Sequence, residues 1–273
     1  RRVVRPDPRR DPPGPGTLPP CPPGWRTGPP DFVGVGSKKA GTSWWHSLIT
    51  EHPGVHRRIA AVPGLDPPRI KEVHFFQQWW ASGDGEAAAE YHRYFPRPEG
   101  LLVGEWTPRY MVDFWTPAQL RAAAPEARVL VMVRDPVERY ASGVRHYLAR
   151  HGGVVDHPRV LVDEVEHGRY AAGLARVVRH FPPDQVLVLQ YERCVQQPEV
   201  ELARTYGFLG LADTEFRPEA VTRPVNASRG AAFAVDQAIR RELVAEYEDD
   251  VRRLAARWPV DLGLWKNFAH LVT

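Results

Sequence analysis

The sequence predicts one α/β domain, a central parallel sheet flanked by helices, and three observations carry that prediction. Short apolar runs recur along 273 residues and are separated by amphipathic stretches of helical length, the pattern of strands buried on both faces of a parallel sheet. The first run is followed at once by a turn rich in glycine and lysine and then by a helix-like segment. With 43% hydrophobic and 25% charged residues, the composition is globular, and the length is far above that at which a core needs disulfides or metals.

Residues 1–30 hold eleven of the 28 prolines, with glycine interspersed. That excludes helix and central strand and predicts a flexible or draped tail, the domain itself occupying 31–273. Phe32-Val-Gly-Val35 reads as the first buried strand and Thr42 to Glu51 as the helix after the turn. Further strands are expected at Ile70 to Phe76, Leu101 to Val103, Val129 to Val133 and Val186 to Leu189. Helices are expected at Glu86 to Phe95, Pro117 to Ala124, Pro136 to Arg150, Asp163 to His180 and Glu199 to Leu209. Val235 to Trp258 reads as a long amphipathic helix with Leu243, Tyr247, Val251 and Leu254 along one face.

Charge is unevenly placed. Six arginines against two aspartates give residues 1–30 a net +4, which leaves −1 for residues 31–273 of a chain whose total is +3. Bulk charge therefore excludes a nucleic-acid-binding body and leaves room for a local anion pocket. The lysines are Lys38, Lys39, Lys71 and Lys266, and the first three fall in the segments that carry the chemistry. Cys21 and Cys194 are too few for a disulfide framework or a cysteine zinc site, in keeping with a reducing cytoplasm. The longest aliphatic run, Val129 to Val133, is too short to span a bilayer, and no apolar leader run opens the chain.

The strand–turn–helix unit at Phe32 to Trp45 aims free backbone N–H groups and the positive end of a helix dipole at one point, which suits a phosphate. It makes the domain P-loop-like without supplying a standard phosphate loop. Gly36 and Gly41 have the spacing of such a loop, but Thr42 stands where its lysine belongs and the lysine has moved to Lys39. A dinucleotide fingerprint also fails, because Lys39 occupies its third glycine position. The residues alone leave open a plain glycine turn with solvated lysines.

Val129 to Val133 runs into Arg134-Asp135-Pro136-Val-Glu138. Asp135 is the expected N-cap, Pro136 fits the first helical position and Glu138 completes a capping-box-like pattern. Arg134 then lies at the carboxyl end of a central strand, where such folds place ligands. Ser142, seven residues beyond Asp135, returns to the same side of the helix, so a guanidinium and a hydroxyl offer a second phosphate contact. A salt-bridged structural arginine is the plainer alternative.

Together the two segments, Lys39-Ala-Gly-Thr-Ser43 and Arg134-Asp-Pro-x-Glu-Arg-x-x-Ser142, resemble the two cofactor signatures of sulfotransferases that use 3′-phosphoadenosine 5′-phosphosulfate (PAPS). The likeness continues through Tyr191-Glu192 and Phe208-Leu-Gly-Leu211 and covers about residues 31–265. It implies that Lys38, Lys39, Ala40, Gly41, Thr42, Ser43 and Trp44 hold the 5′-phosphosulfate, and that Arg134 and Ser142 hold the 3′-phosphate. Ser228-Arg229-Gly230 matches a late loop that closes over that 3′-phosphate. The expected product is adenosine 3′,5′-bisphosphate, and no metal is called for.

Lys71-Glu-Val-His-Phe-Phe76 is similar to a segment of the heparan sulfate type of sulfotransferase, whose glutamate is the catalytic base. In an extended strand Glu72 and His74 would share one face and Lys71, Val73 and Phe75 the other, and a carboxylate beside an imidazole can accept the proton of an attacking hydroxyl. The resemblance gives Glu72 that role, with Lys39 meeting charge on the leaving oxygen and His74 orienting the base or the acceptor. Glu105-Trp-Thr-Pro-Arg-Tyr110 resembles that subgroup's Glu-Lys-x-Pro-x-Tyr, with Trp106 in place of lysine. Lys71, Trp79, Trp106, Arg109 and Tyr110, with Trp80, are the expected lining of an acceptor pocket suited to sugars or flat apolar rings. The heparan-modifying relatives carry a C-terminal disulfide for which this chain has only Cys194, in keeping with an intracellular enzyme.

The function expected is transfer of a sulfuryl group from PAPS to a hydroxyl of a carbohydrate-containing or other small-molecule acceptor. The alternatives are a P-loop phosphotransferase, which the displaced lysine argues against, and a non-catalytic nucleotide-binding module.

Overall fold

The computed structural model describes residues 18–57, 71–78, 85–155, 157–219, 221 and 235–272. In chain order its elements are β1 (Trp25–Arg26), β2 (Phe32–Gly36), α1 (Thr42–Glu51), α2 (Phe75–Gln78), α3 (Gly85–His92), β3 (Arg97–Pro98), β4 (Gly104–Trp106) and α4 (Thr116–Ala123), then β5 (Arg128–Val133), α5 (Pro136–Arg150), α6 (Arg159–Glu166) and α7 (Tyr170–Val177), then β6 (Val186–Gln190), α8 (Tyr191–Gln196), α9 (Pro198–Leu209) and α10 (Gln237–Arg257). A 3-10 turn, Pro108–Met111, follows β4.

The central sheet runs β4-β2-β5-β6 with every pairing parallel. Its strands alternate between two cores. Val33, Val35, Val129, Val131, Val133, Val186 and Val188 pack with Leu120, Val137, Leu174, Leu243 and Tyr247 from α4, α5, α7 and α10. Phe32, Leu130, Met132, Leu187 and Leu189 pack on the opposite face with Trp44, Trp45, Leu48, Leu202 and Tyr206 from α1 and α9. Burial on both faces is why these strands are nearly all apolar. Leaving β2 the chain first reaches β4 on one side and then β5 on the other, so the carboxyl end of β2 is the point where strand order reverses and ligands bind. Gly34 permits the layer above β2: a Cβ there would meet the Trp106 ring at 2.0 Å.

Helices α1 and α5 match their expected bounds, β5, β6, α4 and α9 fall within one residue of theirs, and three segments depart where tertiary contacts override the local pattern. The expected strand at Leu101 to Val103 lies three residues later in β4, because Gly104 lets the backbone approach Phe32, whose carbonyl oxygen would be 2.2 Å from a Cβ. The expected strand Ile70 to Phe76 is, over its described residues, an extended segment through Lys71–His74 followed by α2. His74 has φ 54°, which ends the extended run. The expected helix Asp163 to His180 is broken into α6 and α7 near Gly168, where a Cβ would be 2.7 Å from the Tyr247 hydroxyl. Residues 18–30, mostly exposed, are tied to the domain at three points: β1 pairs antiparallel with β3, Leu18 is buried, and the Arg97 guanidinium donates to the Pro29 carbonyl at 3.0 Å. Among the described residues no helix is long and apolar enough to cross a membrane.

Candidate active site

The turn after β2 is anchored to β5 and to the segment after α6. The Ser37 amide donates to the Met132 carbonyl on β5 at 2.8 Å, and the Ser37 hydroxyl donates to the His167 carbonyl at 2.7 Å. Lys39 and Gly41 take the left-handed backbone, φ 65° and 95°, and glycine is required at 41 because a Cβ would stand 2.6 Å from the Tyr191 ring. Helical bonding begins with the Trp45 amide donating to the Gly41 carbonyl at 3.1 Å. The amides of Thr42, Ser43 and Trp44 precede that bond, and no side chain caps them, which makes the helix start a candidate anion site. Ala40 and the Trp44 side chain are core, Trp44 standing edge-on to Trp45 at 5.2 Å.

The second signature meets the first directly. Arg134 donates to the Lys39 carbonyl at 3.2 Å, and its guanidinium lies 4.9 Å above the Tyr191 ring. Asp135 caps α5 as expected, accepting from the amides of Val137 at 3.0 Å and Glu138 at 3.3 Å. Glu138 does not close a capping box. It pairs with Arg240 and Lys266, and the Asp135 amide is taken by Glu192 at 3.0 Å. Ser142, two turns along α5 from Asp135, is buried. Burial first, then Lys38, with Arg134 and Arg150 adding and Glu164 opposing, lowers the affinity of the Lys39 ammonium for its proton. This crowding of cations is what an incoming anion relieves.

The base segment departs from a simple strand. Glu72 Oε2 is 3.0 Å from His74 Nε2, so the expected pairing holds. Lys71 does not point away. Its Nζ contacts Glu72 Oε1, lies 3.2 Å from the Trp106 carbonyl and is 3.4 Å from Thr42 Oγ1 at the start of α1. Burial pushes the Glu72 carboxyl up, but the Lys71 charge and the bonds from His74 and Lys71 outweigh it and hold it at about 2. Burial pulls His74 down, and the bond and charge of Glu72 prevail to raise it.

The Glu105 to Tyr110 motif frames the segment that carries Glu72 and His74. Three of its side chains accept from three successive amides: Glu105 from Val73 at 3.0 Å, Thr107 from His74 at 3.3 Å and Tyr110 from Phe75 at 2.9 Å. The Trp106 amide donates to the Lys71 carbonyl at 2.6 Å. Trp106 is fully buried with its indole N–H on the Gly36 carbonyl at 2.9 Å, and Tyr110 is fully buried among Phe76 and its neighbours. Both rings, expected as pocket lining, are packed in the core. Arg109 is partly exposed and bridges Asp113 at 3.1 Å to Asp163 on α6. Trp79, Trp80 and Ser228, Arg229 and Gly230 lie outside the described residues.

Sequence reasoning passed over Glu164. It is 1% exposed, ion-paired to Lys38 and Arg139, and fits only because Gly143 opposes it; a Cβ there would be 1.9 Å from Oε2. Within α6 it reads as one more surface carboxylate, and the cavity in α5 that admits it is a long-range feature. His146, on the same α5 face, was also missed; burial and then Lys39, Arg150 and Lys38 push it down to about 4.

A family model described as "Sulfotransferase family" matches residues 70–215. Heparan sulfate glucosamine 3-O-sulfotransferase 3A1 of Mus musculus is 32% identical over 195 residues, which cover 67% of this chain and 46% of that protein. Heparan sulfate glucosamine 3-O-sulfotransferase 6 of Homo sapiens is 32% identical over 204 residues, 69% of this chain and 54% of that one. The chain thus spans about half the length of the curated relatives it matches. Among solved structures, a sulfotransferase from Alicyclobacillus acidocaldarius superposes with a TM-score of 0.66 at 25% identity, covering 87% of this chain and 98% of that chain.

Proposed function

The chain belongs to the sulfotransferase family, and from that premise we propose that it transfers a sulfuryl group from PAPS to a hydroxyl of a carbohydrate-containing or other small-molecule acceptor, with Glu72 as base. One observation carries the reading. The carboxylate of Glu72 and the open start of α1 are joined through a single side chain, Lys71, which contacts Glu72 and stands 3.4 Å from Thr42 Oγ1, so base and phosphate site converge on one point.

The residues present fit the donor. A left-handed Gly41 packed on Tyr191, uncapped amides at 42–44 and the crowded Lys39 ammonium form a cradle for a phosphate bearing a second anionic group. Arg134 and Ser142 hold the 3′-phosphate in this reading, and Ser228-Arg229-Gly230 closes over it. When bound, PAPS supplies an activated sulfuryl group on a phosphate leaving group. The chain's own part is to orient the acceptor oxygen, take its proton on Glu72 and meet the charge gathering on the leaving oxygen with Lys39. His74, bonded to Glu72, keeps that carboxylate turned to the acceptor.

The test is direct: the purified chain, given PAPS labelled in the sulfuryl group and a panel of sugar, phenol and alcohol acceptors, is expected to yield labelled product and adenosine 3′,5′-bisphosphate. Thermal stabilisation by adenosine 3′,5′-bisphosphate without Mg²⁺ is expected beside it. Stabilisation by Mg·ATP alone would favour a phosphotransferase, and by neither ligand a non-catalytic module.

A further inference from the structure

Lys71 sits where two anions would compete for it. Its side chain is 13% exposed, and its Nζ touches Glu72 Oε1 while remaining 3.4 Å from Thr42 Oγ1, at the uncapped start of α1. The Trp106 carbonyl, 3.2 Å from Nζ, serves as a fixed pivot belonging to neither side. His46 on α1, the nearby titratable group, is pushed down to about 3 by burial and then by Lys71, so it stays neutral and does not compete. Glu72 uses separate oxygens for its two partners: Oε1 for Lys71 and Oε2 for His74, the latter at 3.0 Å. If the ammonium turns toward Thr42, Oε1 is vacated while Oε2 keeps the carboxylate in place.

We propose that Lys71 is exchanged between Glu72 and the bound donor: its ammonium covers Glu72 Oε1 until a phosphosulfate at the Thr42 turn draws it away, so that donor binding uncovers the base. The inference rests on the donor reading above. Its physical basis is competition for one cation. A carboxylate oxygen engaged by an ammonium is a poor proton acceptor, and a nearby multiply charged anion outbids a single carboxylate when the distances are similar. The arrangement orders the reaction, since an acceptor hydroxyl arriving first finds Oε1 covered. The vacated Oε1 is then the atom that takes the proton.

A double-mutant cycle read by calorimetry separates exchange from mere field effects. Adenosine 3′,5′-bisphosphate is titrated into the parent chain, Glu72→Gln, Lys71→Met and the double variant at low ionic strength. Exchange predicts that Glu72→Gln tightens binding about 3- to 10-fold, because Lys71 no longer has to leave a carboxylate, and that the gain falls below about 2-fold in the Lys71→Met background. Lys71→Gln in place of Lys71→Met gives the same pattern. Equal tightening in both backgrounds, or none in either, overturns the exchange while leaving the donor reading intact. Absence of binding to the parent chain overturns both.

Discussion

Glu105 Oε2 accepts the backbone N–H of Val73 at 3.0 Å, which places a fully buried carboxylate directly behind the segment that carries Glu72 and His74. The other oxygen accepts from the Tyr91 hydroxyl at 2.7 Å, and Thr107 donates to Oε2 at 2.5 Å. Burial raises the Glu105 carboxyl, with those three bonds opposing it. Between two elements that are not paired strands, these side chains do the work a sheet ladder would do.

Glu105→Ala orphans the Tyr91 hydroxyl and the Val73 amide, at roughly 1–3 kcal/mol for each buried group left unpaired. Urea unfolding should register that loss. In the protein that remains folded, turnover should fall while adenosine 3′,5′-bisphosphate still binds, because the frame holds the Glu72 segment and not the loop. Weakening of both together would make Glu105 a general stability residue.

Glu72→Gln keeps size and most hydrogen bonding but removes the basic oxygen. Turnover at saturating PAPS should fall on the order of 10²- to 10⁴-fold, with nucleotide binding no weaker than in the parent. His74→Ala should cost less, since the imidazole acts through Glu72 Oε2. Near-parental turnover for Glu72→Gln beside a collapse for His74→Ala would transfer the base to His74.

Lys39 and Arg134 are tied by a 3.2 Å bond yet should act on opposite ends of the donor. Lys39→Ala should depress turnover more than affinity, because its charge matters most as the leaving oxygen becomes negative. Arg134→Ala should weaken nucleotide binding by roughly 1.5–3 kcal/mol and shrink the preference for the 3′-phosphorylated nucleotide over its dephosphorylated form. An unchanged preference would make Arg134 structural, its role being to brace the Lys39 carbonyl.

The pH dependence of stability follows from two opposite shifts. Glu72, lowered from 4.5 to about 2, contributes stability that is present above the unfolded value and is lost as pH falls through the folded one. His74 is raised from 6.5, so its contribution is present below that value and is lost as pH rises through the folded one. The pair is therefore most stabilising between about 4.5 and 6.5. Urea midpoints of the parent and Glu72→Gln should differ most in that window and converge toward pH 2; a constant difference would remove the ion pair as the source.

Glu164→Ala leaves Arg139, fully buried, without its carboxylate. Breaking a buried pair on one side costs about 3–5 kcal/mol, which a thermal melt resolves. Nucleotide affinity should change as well, since Lys38 loses its anchor beside the loop.

The sequence by itself determined the layering, most of the strands and helices, and the two segments that meet at the carboxyl ends of β2 and β5. Those features are local: apolar periodicity, the Gly36 to Ser43 turn and the Asp135 cap each depend on neighbours a few residues away, and α1 and α5 begin and end where the sequence places them. Tertiary structure alone decided what Trp106, Tyr110, Lys71 and Glu164 do. A motif lists residue types without saying which of its side chains meet solvent, so an aromatic and charged stretch fits a pocket wall as readily as a buried frame. Trp106 became core because Gly34 leaves room for its ring, and Glu164 entered the interior because Gly143 does the same 21 residues earlier in the chain. Complementarity between small and large residues on separate elements has no signature in either segment read alone, and neither do the long-range bonds to Trp106 and Thr42 that make Lys71 the link between Glu72 and the start of α1.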